Sequence, residues 1–267
     1  MQTTANPASR AATMPADIYF FSTCLVDQFA PEAGLDAIRL IEREGIAVHF
    51  PPDQTCCGQP AYSSGYLDEA RAVARAQLDI FPEPWPVIVP SGSCAAMMRH
   101  HYPSLFAGDP VLASKARNLS ERVFELTDFL ANVIGFSRPD RGEPCTVVLH
   151  TSCHARRQMG SHLSSRALLD RLENVSVASH AREDECCGFG GTFSVLHPKI
   201  SAAMVEDKVT ALIASGASQV VSADYGCLMN VLGHAAYRDL AAGNPEPCMP
   251  GEHIASFLLR RTAGDRS

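Results

Sequence analysis

A chain of 267 residues with 46% hydrophobic content has enough apolar material for one large domain or two lobes, which excludes a disordered polymer. A formal charge of −7 without any basic run argues against nucleic acid, whose phosphates recruit Lys and Arg. No apolar stretch approaches the about 20 residues of a membrane helix, and ten cysteines without a secretory signal point to a cytoplasmic protein that uses them for metal or redox chemistry.

In chain order, residues 1–16 are rich in Thr, Ala, Ser and Pro and read as a flexible leader, with Met14 a candidate translation start. Residues 18–21 read as a short buried strand, followed by Cys24 and by a helix over 33–44, where Leu35, Ile38 and Ile41 recur at helical spacing before Gly45. Residues 46–50 form the next strand, the Pro51-Pro52 turn leads to Cys56-Cys57-Gly58, and a helix covers 67–78. Residues 87–89 make a third strand, and Ser91 to Cys94 the turn after it. Residues 123–130 close this half as a helix with acidic residues and an apolar Phe-Leu face, and 252–259 do the same for the next half. Each such helix packs on its own half or offers its stripe to a partner. Strands near Val147, Val175 and Val220 repeat the series.

The repetition extends to the cysteines. Cys24 falls against Cys153, Cys56 and Cys57 against Cys186 and Cys187, and Cys94 against Cys227, at offsets of 129 to 133 residues. Gly follows each adjacent pair, and Val-Pro-Ser-Gly-Ser-Cys matches Ser-Ala-Asp-Tyr-Gly-Cys, so the chain is an internal duplication with repeats at 17–140 and 141–267. Alternating strands and helices predict an α/β protein of two pseudo-repeated halves, each a mainly parallel sheet with flanking helices. The repeated cysteines fall at strand C-terminal ends, where such sheets gather ligands. Three loops per half then bring four thiols together, giving one site per half. Cys145 and Cys248 lie outside the repeat and have no assigned ligand role.

Four thiolates suit a tetrahedral zinc ion or an iron-sulfur cluster, and ligand count alone leaves both open. Structural zinc usually draws on compact Cys-x-x-Cys knuckles, whereas these ligands come from dispersed loops, which favours a larger centre. Gly58, Gly188, Gly190 and Gly191 would let backbone N–H groups approach its sulfurs. His150 and His154 flank Cys153 as candidate proton carriers or donors to sulfur, or as packing residues. Arg156 and Arg157 are candidates for offsetting cluster charge or holding a carboxylate, or for a solvated helix start, and His100 and His101 read as structural. There is no Gly-x-Gly-x-x-Gly fingerprint, phosphate loop or Ser-His-Asp arrangement, so no organic cofactor is expected in this chain.

At Ser-Thr-Cys-Leu-Val-Asp (22–27), Pro-Ser-Gly-Ser-Cys (90–94) and Ala-Asp-Tyr-Gly-Cys-Leu-Met-Asn (223–230) the sequence resembles the cysteine-rich (CCG) domain family. That family includes the cysteine-rich subunit of heterodisulfide reductase, the glycolate oxidase iron-sulfur subunit and lactate-utilization proteins, the last being the nearest in pattern. The resemblance covers the chain from Ile18 to about Leu259. It implies a subunit that works with a second iron-sulfur protein and a companion subunit of a lactate-oxidising complex, or with a flavin oxidase subunit. In the reductase relatives the last motif is Cys-x-x-Cys and five thiolates hold a non-cubane cluster. Here Ser91 and Asp224 stand at the first position of that motif, so each half keeps four thiolates and two ordinary [4Fe-4S] clusters are expected, with Ser91 or Asp224 available as an occasional hard ligand.

Three functions compete on these grounds. The first is an electron-transfer subunit, itself non-catalytic, of a complex oxidising L-lactate or a related 2-hydroxy acid such as glycolate. The second is a disulfide or thiol reductase with chemistry at the cluster, and the third a zinc-binding interaction protein.

Overall fold

The computed structural model describes residues 14–244 and 248–263, so the expected leader lies outside the described residues except for its last three positions. The strands are β1 (Asp17–Phe20), β2 (Ala47–His49), β3 (Val87–Val89), β4 (Val123–Glu125), β5 (Cys145–His150), β6 (Val175–Ala178), β7 (Gln219–Ser222) and β8 (Gly251–His253). They form two four-stranded sheets in the orders β2-β1-β3-β4 and β6-β5-β7-β8, parallel throughout. One topology is therefore written twice, with helices making the crossovers that parallel strands require. The helix expected over 33–44 is Pro31–Glu42, because Pro31 opens its first turn, where a missing N–H costs nothing. The one expected over 67–78 is Leu67–Leu78.

Residues 123–130 and 252–259 differ from the expectation. Each opens with a strand, β4 on β3 and β8 on β7, and only then turns helical. Glu125, whose charge suggested a helical surface, is buried at the end of β4, where its carboxyl oxygen Oε2 accepts from the N–H groups of Thr127 and Asp128 and caps the turn that follows. His253 does the same at the end of β8, accepting from the Ala255 N–H. The Phe-Leu faces are covered: Phe129, Leu130, Phe257 and Leu258 are fully buried.

Side-chain alternation along the strands explains how the halves join. Ile18 and Phe20 of β1 and Val147 of β5 enter one shared core, while Tyr19 on β1 and Val148 on β5 face each half's own outer helices. The shared core also holds Leu40 and Ile41 of Pro31–Glu42, Leu168 and Leu169 of Ser161–Asp170, and Phe257 and Leu258 of Ile254–Thr262. A central layer of helices drawn from both halves thus lies between the sheets. At its edge, Arg261 donates to both carboxylate oxygens of Asp140, at 2.8 and 2.6 Å, and to the carbonyls of Gly142 and Glu143, stapling the connection between the sheets to the last helix.

Among the described residues no helix is long and apolar enough to cross a membrane.

Candidate metal centre

The parallel order places every repeated cysteine beyond a strand C-terminus. Cys24 opens the short helix Cys24–Phe29 after β1, Cys56 and Cys57 lie in the loop after β2, and Cys94 sits in the turn of helix Gly92–Ala96 after β3. Cys153, the pair Cys186 and Cys187, and Cys227 occupy the corresponding places after β5, β6 and β7. Thr23, just before Cys24, adopts φ 64° although it is not glycine, a backbone state that only surrounding packing can hold. All eight cysteines line one cavity of about 320 Å³ between the halves, with Asp224, His154, Leu25 and Phe189 among its other walls. The sequence pointed to one group of four thiols per half; it did not show that both groups face the same space.

Within each group the thiols perturb one another's ionisation in series. Cys24 acts on Cys56, Cys56 on Cys57 and Cys57 on Cys94; the second half repeats this as Cys153, Cys186, Cys187 and Cys227. The hydrogen bond from Cys24, joined by those from Cys57 and the Gly58 N–H, pulls the Cys56 thiol down to about 3. Donation from Cys153, then from Cys187 and the Gly188 N–H, pulls Cys186 down to about 2. The donors shift in the opposite direction: Cys24 and Cys153 are pushed up, as are the buried Cys57 and Cys187. One thiolate per half is thus stabilised by its neighbours' protons, and those are the protons a soft cation displaces on binding.

The backbone supports the same sulfurs. The Gly58 N–H lies 3.4 Å from Cys56 Sγ and the Gly188 N–H 3.3 Å from Cys186 Sγ. Both glycines have φ near 85°, and a Cβ on Gly188 would meet the Ser201 carbonyl at 2.7 Å. Tyr102 Oη donates to the Cys57 carbonyl at 2.9 Å, and Asn230 Nδ2 donates to the Cys187 carbonyl at 2.8 Å, so each pair is anchored from the helical segment after the last cysteine.

Ser91 and Asp224, equivalent by sequence, meet each other across the halves. Ser91 Oγ donates to Asp224 Oδ1 at 2.8 Å, and the Ser93 N–H donates to the same oxygen at 3.1 Å. Both residues line the cavity, and Asp224 Oδ2 is buried without a partner among the described residues. The positions that lack a fifth cysteine therefore join the two halves.

The arginines lie elsewhere. Arg156 pairs with Asp184 at 2.9 Å, Arg157 donates to the Asp184 carbonyl at 3.2 Å, and neither lines the cavity. Sequence reading offered them to cluster charge, to a carboxylate substrate or to a solvated helix start; in the fold they hold the acidic loop that leads into Cys186, and the exposed Arg157 favours the thiolate of Cys153 electrostatically. His101 packs against Tyr62 at 4.6 Å between ring centroids, in keeping with a structural role. Cys145 and Cys248 are absent from the cavity wall. His154 is on that wall, and burial lowers its basicity. His150 is buried behind it, with a ring nitrogen and the sulfurs of Cys187 and Cys227 all within 4.8 Å of one another.

Glu125 was missed by sequence reading: burial pushes its carboxyl up to about 8, against the stabilising hydrogen bond from Thr127. Nothing in a three-residue strand with an acidic end signals such a position.

Each half thus lines its side of the cavity with four soft sulfurs, and a backbone N–H is aimed at Cys56 in one half and Cys186 in the other. This donor set fits zinc or an iron-sulfur cluster and does not suit a hard, oxygen-seeking ion.

Comparison with known proteins agrees with this arrangement. The model of the cysteine-rich domain, CCG, matches residues 18–99 and again 147–231, one copy on each half. Lactate utilization protein A of Bacillus subtilis (strain 168) is 41% identical over 222 residues, which cover 83% of this chain and 93% of that protein. Its namesake in Halalkalibacterium halodurans is 41% identical over 241 residues, 90% of this chain and 96% of that one. The one in Shouchella clausii is 42% identical over 219 residues, 81% and 90%. A crystal structure of a hypothetical protein from Helicobacter pylori shares the fold at a TM-score of 0.68 with 8% identity, covering 94% of this chain. This chain spans 50% of the length of that protein. With two copies of the domain and relatives matched over nearly their whole length, the chain belongs to the cysteine-rich CCG domain family, in the group that contains the lactate utilization A proteins.

Proposed function

We propose that this chain is an iron-sulfur electron-transfer subunit of a complex that oxidises L-lactate, or a related 2-hydroxy acid such as glycolate, to the 2-oxo acid. The observation that carries the reading is the convergence of two four-thiol groups on one cavity, Cys24, Cys56, Cys57 and Cys94 from residues 17–140 and Cys153, Cys186, Cys187 and Cys227 from residues 141–267. Each group would hold one [4Fe-4S] cluster, which supplies reversible one-electron transfer when bound. The chain's own residues orient the thiolates through the Gly58 and Gly188 N–H groups, and the half-buried Leu25 and Phe189 form part of the apolar wall beside them.

Oxidation of a 2-hydroxy acid removes two electrons and two protons, a step suited to a flavin or nicotinamide. That cofactor belongs to a partner in this reading: a flavin oxidase subunit, or a second iron-sulfur protein with a companion subunit. The name of the relatives, lactate utilization protein A, supports the substrate. The cytoplasm is the compartment we assign, since thiolate ligands persist in a reducing environment.

The test is reduction by substrate. With the chain co-expressed and purified anaerobically with its partner subunits, L-lactate is expected to produce the paramagnetic signal of a reduced cluster at low temperature. Loaded clusters that dithionite reduces and lactate leaves untouched would contradict the assignment.

The shared cavity also favours a second reading, a disulfide or thiol reductase whose substrate sits between the two groups. Disulfide reduction by the isolated chain, lost on Cys56→Ser, would select it over the relay.

A further inference from the structure

The two thiol groups are alike in ligands and unlike in surroundings. Cys24 and Cys153 are equivalent, so Phe21, just past β1, and His150, the last residue of β5, each three residues earlier, occupy the same place. Both are buried, at 0% and 1% exposure. Phe21 offers no hydrogen-bond donor. His150 places a ring nitrogen within 4.8 Å of the Cys187 and Cys227 sulfurs, and neither of its nitrogens has another partner among the described residues.

A second pair of positions differs in the same sense. The space beside Gly58 is bounded by the Ala70 carbonyl and Val73, and that beside Gly188 by the Ser201 carbonyl and Met204. Helices Leu67–Leu78 and Pro198–Ala214 therefore run in register beneath the adjacent cysteines. Four residues beyond Val73 stands Gln77, and four beyond Met204 stands Lys208. Gln77 is buried and donates to Thr55 Oγ1 at 2.6 Å. Lys208 is 1% exposed and donates to the Arg182 carbonyl; burial lowers its basicity, and the neighbouring Cys187, Glu185, Cys153 and Cys186 act against that. The first half thus has a phenyl ring and a neutral amide where the second has an imidazole and an ammonium group; Asp224, which stands where the first half has Ser91, is held across the halves by Ser91 Oγ and the Ser93 N–H and so faces both groups.

An electron added to a thiolate-ligated cluster raises its negative charge, and a nearby cation or an N–H directed at sulfur stabilises the reduced form. Resting on the iron-sulfur reading above, we infer that the two centres are inequivalent and that the one on Cys153, Cys186, Cys187 and Cys227 is reduced first, because His150 and Lys208 surround it. His150 and Lys208 are positioning residues that set this order without ligating. Electrons entering the pair then settle on the second-half centre, which gives the relay a direction within a single chain.

The experiment is an anaerobic redox titration of the full chain, loaded with iron and sulfide and followed by electron paramagnetic resonance. Dithionite supplies one electron to each transition and is oxidised to sulfite. Two transitions are expected. Lys208→Gln and His150→Phe, which copy the first half, should each lower only the higher one by about tenfold in the reduced-to-oxidised ratio at fixed potential, ~59 mV for one electron. Lys208→Arg, which keeps the charge, should leave it in place. The reciprocal Gln77→Lys should raise the lower transition by a similar amount, and it decides the matter if Lys208→Gln fails to load. A single transition in the wild type, or variants that move neither transition, would overturn the inference while leaving the iron-sulfur reading intact. A chain that takes up no iron or sulfide would overturn both.

Discussion

Replacing Cys186 by Ser is expected to remove about half of the bound iron and sulfide, on the basis of two four-iron groups, and to stop lactate-dependent electron flow. The first-half group should stay loaded. The size of the effect follows from the place of Cys186 in its group. Its thiol is pulled down by Cys153 and Cys187 and its sulfur accepts the Gly188 N–H at 3.3 Å, so it is the second-half cysteine most readily held as a thiolate. A serine hydroxyl is a harder donor and stays protonated at neutral pH, so it offers neither the softness nor the charge that iron in a sulfide cluster requires. Cys248→Ser is the control: that residue is exposed and off the cavity wall, and both groups should load normally without it. Metal analysis with low-temperature paramagnetic resonance checks both variants, and unchanged iron in Cys186→Ser would remove the ligand assignment.

The largest loss of stability is expected at the far end of the shared core. Asp140→Ala leaves the Arg261 guanidinium buried without its carboxylate; the two side chains are 3% and 0% exposed. Breaking a buried pair by removing one partner costs about 3–5 kcal/mol, and the carbonyls of Gly142 and Glu143 offset only part of this. Burial opposes ionisation of Asp140, yet donation from Arg261, Gly142 and Asn174 outweighs it and holds the carboxyl below the usual range. A depressed carboxyl contributes stability above its unfolded value, about 3.9, and loses that contribution as pH falls through the folded value. The gap between wild type and Asp140→Ala in chemical denaturation should therefore be full at pH 7 and narrow below about 3.9. A gap that persists unchanged in acid would mean that the loss comes from packing and not from the ion pair.

Much of this molecule was legible in its sequence, and the exceptions share a cause. The helix Leu67–Leu78 and the strand Val87–Val89 were readable because helical periodicity and a run of β-branched residues are local signals. The four-thiol groups were readable because duplication aligns them without knowledge of the fold. The strands β4 and β8 were not, because three residues ending in Glu125 or His253 are too short for a period, and those polar residues are buried by parallel pairing to a distant strand. The shared cavity was equally hidden. It depends on the halves packing through Leu40, Leu169 and Leu258, contributed from across the chain, and on Ser91 meeting Asp224. For Arg156 and Arg157 the sequence left a charge role and a solvated helix start open, because their partner Asp184 lies in a loop that only the fold brings to them.

The most direct test of the central claim is the iron and acid-labile sulfide content of the anaerobically purified chain, with low-temperature electron paramagnetic resonance before and after reduction. Two four-iron centres predict about eight iron and eight sulfide per chain and a signal that appears on reduction. Stoichiometric zinc without sulfide would contradict the account and make these thiol groups structural zinc sites.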